Sequence, residues 1–271
     1  MLHALLFGAI KELAAIVIDL IVIDKINNNC KYYIFFYYLS MTKDTYLIKR
    51  KNYAKKLDNL EFFKIIDNWP LHVGIKNLKR FLVIYDLLLS VKNLDGDIAE
   101  LGSWEGANLL FLAKLSKILN LNKKVYCFDW FKGVVDFSDQ DGDAKENKFG
   151  TYKGNKDIID KSIELYELEN IIQFELGDIV KTVPNFMNKF PDKKFSFLYY
   201  DADVYLPCKV MLENLSNNLV VGGLILFDEY NDPEWPGETK AVNEFLEKNN
   251  SFEVITPSIS EKPSLVIKRV K

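Results

Sequence analysis

Asp97-Ile98-Ala99-Glu100-Leu101-Gly102-Ser103-Trp104-Glu105-Gly106 is the stretch on which the fold turns. A short, largely apolar run ends in a glycine, and after Gly106 a helix-like apolar segment begins, Ala107 to Leu119. The reading is a buried strand that enters a helix through a glycine turn, a geometry that brings backbone close to a ligand at the C-terminal edge of a parallel sheet. A dinucleotide fold asks for G-x-G-x-x-G and a helix N-terminus free to receive pyrophosphate. Here the spacing is Gly102-x-x-x-Gly106, and Glu100 and Glu105 on either side of the turn would repel such an anion.

Outward from this turn the chain alternates strand and helix, the signature of a parallel sheet. Strands are expected at Asp97 to Leu101, Lys124 to Asp129, Ile171 to Leu176, Phe195 to Tyr200, Val220 to Phe227, Phe252 to Thr256 and Leu265 to Lys268. Helices are expected at Ala107 to Leu119, Asp157 to Leu168, Ile179 to Lys189, Lys209 to Asn217 and Thr239 to Lys248. The last two strands are joined by a short Pro-containing connection, too short for a crossover helix, and should pair antiparallel. The fold class is therefore α/β: a doubly wound, mostly parallel, Rossmann-like seven-stranded sheet with an antiparallel C-terminal hairpin and an N-terminal helical extension. This plan resembles the class I methyltransferase sheet.

Three segments are expected: an apolar extension (1–40), a helical N-terminal region (41–95) and the core (96–271). In the first, Leu2 to Ile23 and Lys31 to Leu39 suggest a membrane anchor. However, Lys11, Glu12 and Asp19 interrupt the run, and a charge at the centre of a spanning helix costs about 3 kcal/mol. Their spacing puts them on one face of an amphipathic helix, and no A-x-A-like cleavage site precedes Ser40. Two readings stay open: weak contact with a membrane surface or a partner, or an upstream extension ahead of a true start at Met41. From Met41 to Leu57 the chain is basic, as on a solvated helix face. Leu60 to Ile66 and Ile75 to Val91 carry helical periodicity.

Of the 271 residues, 49% are apolar and 27% charged, as in a globular protein with one large core. The formal charge of -3 gives no electrostatic reason to expect a nucleic-acid partner. Cys30, Cys127 and Cys208 are too few and scattered for a disulfide framework, and the simplest reading is a reducing compartment, the cytoplasm. His3 and His72 are the only histidines, so a multi-histidine metal site is excluded and any metal must be held by oxygen. Homo-oligomerisation is left open.

The acids around the glycine turn favour a cationic ligand. S-adenosylmethionine brings a sulfonium and an ammonium, and Glu100 beside Gly102 and Gly106 would attract both in a cleft of low effective dielectric. Asp129, at the end of the second strand, is placed to accept hydrogen bonds from ribose hydroxyls. Asp178, after the third, either reads the adenine amino group or caps the following helix, two compatible roles.

Past the fourth strand stands Asp201-Ala202-Asp203, and past the fifth Asp228-Glu229. Adjacent parallel strands end on one edge, so four carboxylates should converge; either their pKa values rise or a cation neutralises them. Oxygen ligands without His or Cys favour Mg²⁺, with Mn²⁺ or Ca²⁺ as alternatives, over Zn²⁺. Together with Glu100-Leu101-Gly102, Phe128-Asp129-Trp130-Phe131-Lys132-Gly133, and Pro236-Gly237 through Ala241-Val242-x-Glu244-Phe245, these acids resemble the macrocin and mycinamicin O-methyltransferase family, over about Gly96 to Phe245. More distantly the chain is similar to metal-dependent catechol and caffeoyl-CoA O-methyltransferases. The resemblance implies Mg²⁺-assisted methylation of a hydroxyl on a small-molecule acceptor, a sugar, with Asp201, Asp228 and Glu229 holding the metal and Asp203 as general base. Glu229 departs from the pattern, since relatives commonly carry Asp or Asn there.

Trp104, Trp130 and Trp235 lie just past the first, second and fifth strands, where flat rings suit adenine or a sugar face. The polar segment Val134 to Asn155 is expected to be a mobile lid. Its Asp139, Asp141 and Asp143 lack the glycine and twelfth-position acid of a calcium loop. Two other functions remain in view: methylation of a catechol-like phenol, and a catalytically silent scaffold that binds an adenosyl ligand. The intact acid cluster speaks against the second.

Overall fold

Strands β1 (Asp97–Leu101), β2 (Val125–Asp129), β3 (Ile172–Leu176), β4 (Phe195–Tyr200), β5 (Leu219–Phe227), β6 (Phe252–Ile255) and β7 (Leu265–Arg269) form one sheet, ordered β3-β2-β1-β4-β5-β7-β6. The first five are parallel. β7 runs antiparallel to both β5 and β6, as the short connection between the last two strands requires. The computed structural model describes residues 45–56, 61–143, 148–257 and 261–271. The reading given to residues 1–40 lies outside that set.

The chain divides into two compact units, Met1–Asn52 and Tyr53–Lys271. Helix α1 (Thr45–Lys56) spans the division. In the second unit follow α2 (Phe62–Asp67), α3 (Ile75–Ser90), α4 (Ala107–Ile118), α5 (Lys156–Tyr166), α6 (Ile179–Lys189), α7 (Tyr205–Leu215) and α8 (Pro236–Lys248). No described helix is long and apolar enough to cross a membrane.

Strand alternation sorts the core into two layers. Ala99, Leu101, Phe128, Leu198, Tyr200 and Phe227 face α6, α7 and α8. Ile98, Val125, Cys127, Phe197, Tyr199 and Leu226 face α3, α4 and α5. β4 is buried at every position, which is why Phe195-Ser196-Phe197-Leu198-Tyr199-Tyr200 reads as a continuous apolar run rather than an alternating one. Each fully buried side chain of this size contributes about 1.5 to 3 kcal/mol relative to exposure.

Two helices start earlier than the sequence suggests, both because of proline. α7 begins at Tyr205, with Pro207 in its first turn, and α8 begins at Pro236 itself. The first-turn N–H groups of a helix have no intrahelical acceptor, so a proline there loses nothing.

The chain leaves β1 for β2 and β3 on one side, then returns to β4 on the other. The strand order reverses between β1 and β4, and the crevice at their C-terminal ends is where an open α/β sheet receives its ligand.

Candidate active site

At that edge the sheet ladder continues past the strand ends. Gly102 N–H donates to Phe128 O at 3.0 Å, Asp201 N–H to Leu101 O at 2.8 Å, and Asp228 N–H to Tyr200 O at 3.1 Å. The turns therefore start at one level and open on one cavity of about 280 Å³. Its wall includes Gly102 past β1, Asp129 ending β2, Asp178 past β3, Asp201 and Asp203 past β4, and Asp228 and Glu229 past β5.

Gly102 has φ +83°, and a Cβ there would lie 2.1 Å from Asp201 O. Only glycine lets the β1 turn pass under the β4 turn. Gly106 serves a different end: it precedes α4, its missing Cβ makes room for Ile159, and it is not part of the cavity wall.

Glu100 lies buried beneath the turn. Its Oε2 accepts from Ser103 Oγ at 2.6 Å, whereas Oε1 has no hydrogen-bond partner among the described residues. Burial pushes its carboxyl up to about 8, against the Ser103 bond, with Asp129 and Asp228 adding repulsion. Asp129 does more than face the cavity. Its Oδ2 accepts from the N–H groups of Ser103 (2.6 Å) and Trp104 (3.1 Å), and its Oδ1 from Phe131 N–H (2.6 Å), so one carboxylate shapes both the β1 and β2 turns.

Asp178 caps α6, accepting from Val180 N–H at 2.9 Å, and also lines the cavity. Burial opposes its charge, but Lys181, Asp136 and the Val180 N–H outweigh it and keep the carboxyl below its ordinary value. Asp136, opposite it, is pushed up to about 6 by burial and by the hydrogen bond and charge of Asp178.

In the acid cluster, one carboxylate oxygen each of Asp201, Asp203 and Glu229 lie within 4.8 Å of one another. Desolvation drives Asp201 well above the ordinary value, helped by Asp228 and Asp203. Burial, Glu229 and Asp228 push Asp203 up to about 8. Asp203 sits at φ +66° in a turn closed by Val204 N–H to Ala202 O at 2.7 Å. That tight turn is rare and strained for a residue with a Cβ, as functional positions often are.

Asp228 is oriented otherwise. Tyr199 OH donates to its Oδ1 at 2.5 Å and Arg80 Nη2 to its Oδ2 at 2.8 Å, so this expected ligand lines the same cavity with both oxygens engaged and is not one of the three gathered. Glu229 receives the Lys262 ammonium on Oε2, and its N–H donates to the fully buried Glu238 at 2.9 Å. Burial raises the Glu229 carboxyl, with Lys262 working against it.

Aromatic rings close the mouth. Trp104, Trp130 and Trp235 all line the cavity, as their places past β1, β2 and β5 suggest. Tyr152 meets Trp104 edge-on at 5.7 Å and Trp235 at 6.2 Å, and Phe137 stacks on Trp235 at 6.5 Å. Val134, Val135, Asp136 and Tyr152 bring the expected lid segment onto the cavity wall. Asp141 anchors the segment: its carboxylate accepts from Tyr205 N–H (2.7 Å) and Ser138 N–H (2.7 Å), and a Cβ on Gly237 would collide with it at 1.8 Å.

Sequence reasoning missed Arg80, Lys262, Tyr199, Asp141 and Glu238. Arg80 alone carried a signal, as one of three arginines in a lysine-rich chain.

A parallel sheet reversed at β1 and β4, closed by an antiparallel hairpin, with a glycine turn and acids along one edge, defines the class I methyltransferase fold. Residues 67–258 match the sequence profile of the macrocin O-methyltransferase family (TylF), and the chain belongs to that family. It is similar to demethyldecarbamoylnovobiocin O-methyltransferase of Streptomyces niveus, 24% identical over 175 residues, covering 60% of this chain and 64% of that protein. It is also similar to 8-demethyl-8-(2,3-dimethoxy-alpha-L-rhamnosyl)-tetracenomycin-C 4'-O-methyltransferase of Streptomyces olivaceus, 25% identical over 174 residues, covering 60% and 65%. The chain thus spans slightly less than two thirds of the length of these relatives. In fold it is similar to the calicheamicin methyltransferase CalS11 (TM-score 0.66, 22% identity, 84% of this chain and 93% of that one). The O-methyltransferase NovP is a further likeness (TM-score 0.60, 21% identity, 71% and 80%).

Proposed function

We propose that this chain methylates a hydroxyl of a small polar acceptor, a sugar, using S-adenosylmethionine and assisted by a divalent cation such as Mg²⁺. The observation that carries the reading is the meeting, on one cavity, of Gly102, Asp129 and Asp178 with the gathered oxygens of Asp201, Asp203 and Glu229. Both groups fit the residues present. Among the described residues Glu100 Oε1 has no partner beneath the glycine turn and suits a cation, though Glu100 is not on the cavity wall, which Asp129 and Asp178 line. Three carboxylates with raised pKa values and no nitrogen or sulfur donor suit a hard divalent ion. A sugar acceptor draws support from the relatives, whose names include a rhamnosyl tetracenomycin 4'-O-methyltransferase.

When bound, S-adenosylmethionine supplies an electrophilic methyl carbon and a divalent ion supplies positive charge at the acceptor oxygen. The protein's own part is positional and electrostatic. Asp201 and Glu229 would hold the ion, with Asp228, the third expected ligand, on the same wall and bonded to Arg80 and Tyr199. Asp203, presented by its strained turn, takes the hydroxyl proton. Asp129 keeps the β1 and β2 turns in place while facing the ribose. The aromatic side chains on the cavity wall offer faces for stacking.

Calorimetry with S-adenosylhomocysteine, followed by transfer of labelled methyl from S-adenosylmethionine to glycosides, nucleotide sugars and catechols with and without EDTA, tests the reading. Label in sugars alone, lost with EDTA, is the expected result. Label in catechols alone would replace the sugar, and absence of both binding and transfer would end the enzymatic reading.

A further inference from the structure

Among the described residues two cations, Arg80 and Lys262, are bonded to the acid cluster, and they are not equivalent. Arg80 meets Asp228 Oδ2 at 2.8 Å, outside the three gathered oxygens. Lys262, from the segment leading into β7, places its ammonium on Glu229 Oε2, a member of that trio, and within 3.8 Å of Asp228 Oδ2 and of Asp232 Oδ2. Its side chain is only 12% exposed. An ammonium is a strongly hydrated point charge, so such burial is tolerated because acids surround it. Arg80 and Lys262 face Asp201, Asp203, Asp228, Glu229 and Asp232, so the acids outnumber the cations bonded to them. Among the described residues, Lys262 is the side-chain cation bonded to a member of the gathered trio.

We propose that Lys262 is a tethered counter-cation of the cluster: its ammonium holds Glu229 when no divalent ion is present and, by like-charge repulsion, weakens the grip of the cluster on such an ion. The inference rests on the reading of Asp201 and Glu229 as ligands of a divalent ion beside Asp203. It gives Glu229 a partner with or without the ion and keeps the ion exchangeable.

The test is titration of Mn²⁺, followed by the six-line paramagnetic resonance signal of the free ion, against wild type, Lys262→Met, Lys262→Gln and Lys262→Arg, with thermal unfolding of each. The two neutral variants should bind Mn²⁺ about tenfold tighter or more, because a close positive charge has gone, while Lys262→Arg stays near wild type. Without metal the neutral variants should melt below wild type, and Mn²⁺ should close that gap. Neutral variants that bind Mn²⁺ equally or more weakly overturn the proposal and leave the cation site standing. Absence of Mn²⁺ binding by all four proteins overturns both. Failure to obtain either neutral variant folded, even with Mn²⁺ present throughout purification, also overturns it, since the ion then cannot take the place of the lysine.

Discussion

Arg80, on the helix ahead of the sheet, donates through Nη2 to Oδ2 of Asp228 over 2.8 Å, joining residues 148 apart in the chain. Tyr199 takes the other oxygen. The bond fastens α3 to the end of β5, beside the three carboxylates that gather there.

Breaking this pair should therefore destabilise the fold. Arg80→Met strands a carboxylate that is almost fully buried and is expected to cost about 2 to 3 kcal/mol in urea unfolding. The double variant with Asp228→Asn should recover part of the loss, since no buried charge is left unpaired. A loss below about 0.5 kcal/mol for Arg80→Met would mean that the pair behaves like an exposed one.

Asp129 carries two duties, and its removal should register on both. Asp129→Ala takes the acceptor from the N–H groups of Ser103, Trp104 and Phe131 at once, so a loss of about 2 to 4 kcal/mol in stability is expected with weaker S-adenosylhomocysteine binding. Asp129→Asn keeps one carbonyl oxygen and should fall between. Calorimetry and thermal unfolding read the two effects separately, and an Asp129→Ala protein unchanged in both would remove the residue from the site.

What was legible in the sequence is what is local. The β1 turn, the acid ending β2, the cap after β3 and the D-x-D and D-E pairs are each fixed within a few residues of a strand end, and parallel pairing then carries them to one edge. Arg80 and Lys262 enter from the helix before β1 and the segment before β7, and no spacing rule links them to the acids they meet. The alignment of Asp228 was hidden for a related reason. Consecutive residues leaving a strand point in different directions, so Asp228 and Glu229, adjacent in sequence, reach Tyr199 and Lys262 respectively. The γ-turn that presents Asp203 left little mark in Asp-Ala-Asp, because aspartate, unlike glycine, adopts positive φ only occasionally.

Glu100 should make stability depend on pH. Burial holds its carboxyl at about 8, above the ordinary glutamate value near 4.5. Between those values the folded chain binds a proton that the unfolded chain has released, so the stabilisation is complete below the lower value and is lost as pH rises through the upper one. Asp201, Asp203 and Glu238 are shifted the same way, so Glu100→Gln should flatten the decline without abolishing it. The same carboxyl should give up its proton to a cationic ligand. Calorimetry of S-adenosylmethionine binding at pH 7 in two buffers of different ionisation enthalpy should show proton release by wild type and less by Glu100→Gln. Identical release by both would detach Glu100 from the ligand.

Asp201 and Asp203 stand two residues apart and offer oxygens to the same small region, yet they should fail differently when changed. Asp201 faces Asn108, whose Nδ2 donates to its Oδ2 at 3.4 Å, and continues the β4 ladder through its N–H to Leu101 O. It belongs to the fixed frame, as a ligand must. Asp203 projects from a strained turn one step beyond that frame, where a base can meet an acceptor. Asp201→Asn is thus expected to weaken Mn²⁺ binding and to regain part of its activity when metal is raised. Asp203→Asn should bind Mn²⁺ and S-adenosylhomocysteine nearly as wild type does and lose a factor of roughly 10² to 10⁴ in turnover at saturating metal, the usual cost of removing a general base. Metal titration beside single-turnover methyl transfer separates the two. Equal loss of Mn²⁺ binding in both variants would make Asp203 a third ligand and pass the proton to another acceptor, while wild-type turnover in both, or indifference to EDTA, would return the cluster to capping the ends of its strands.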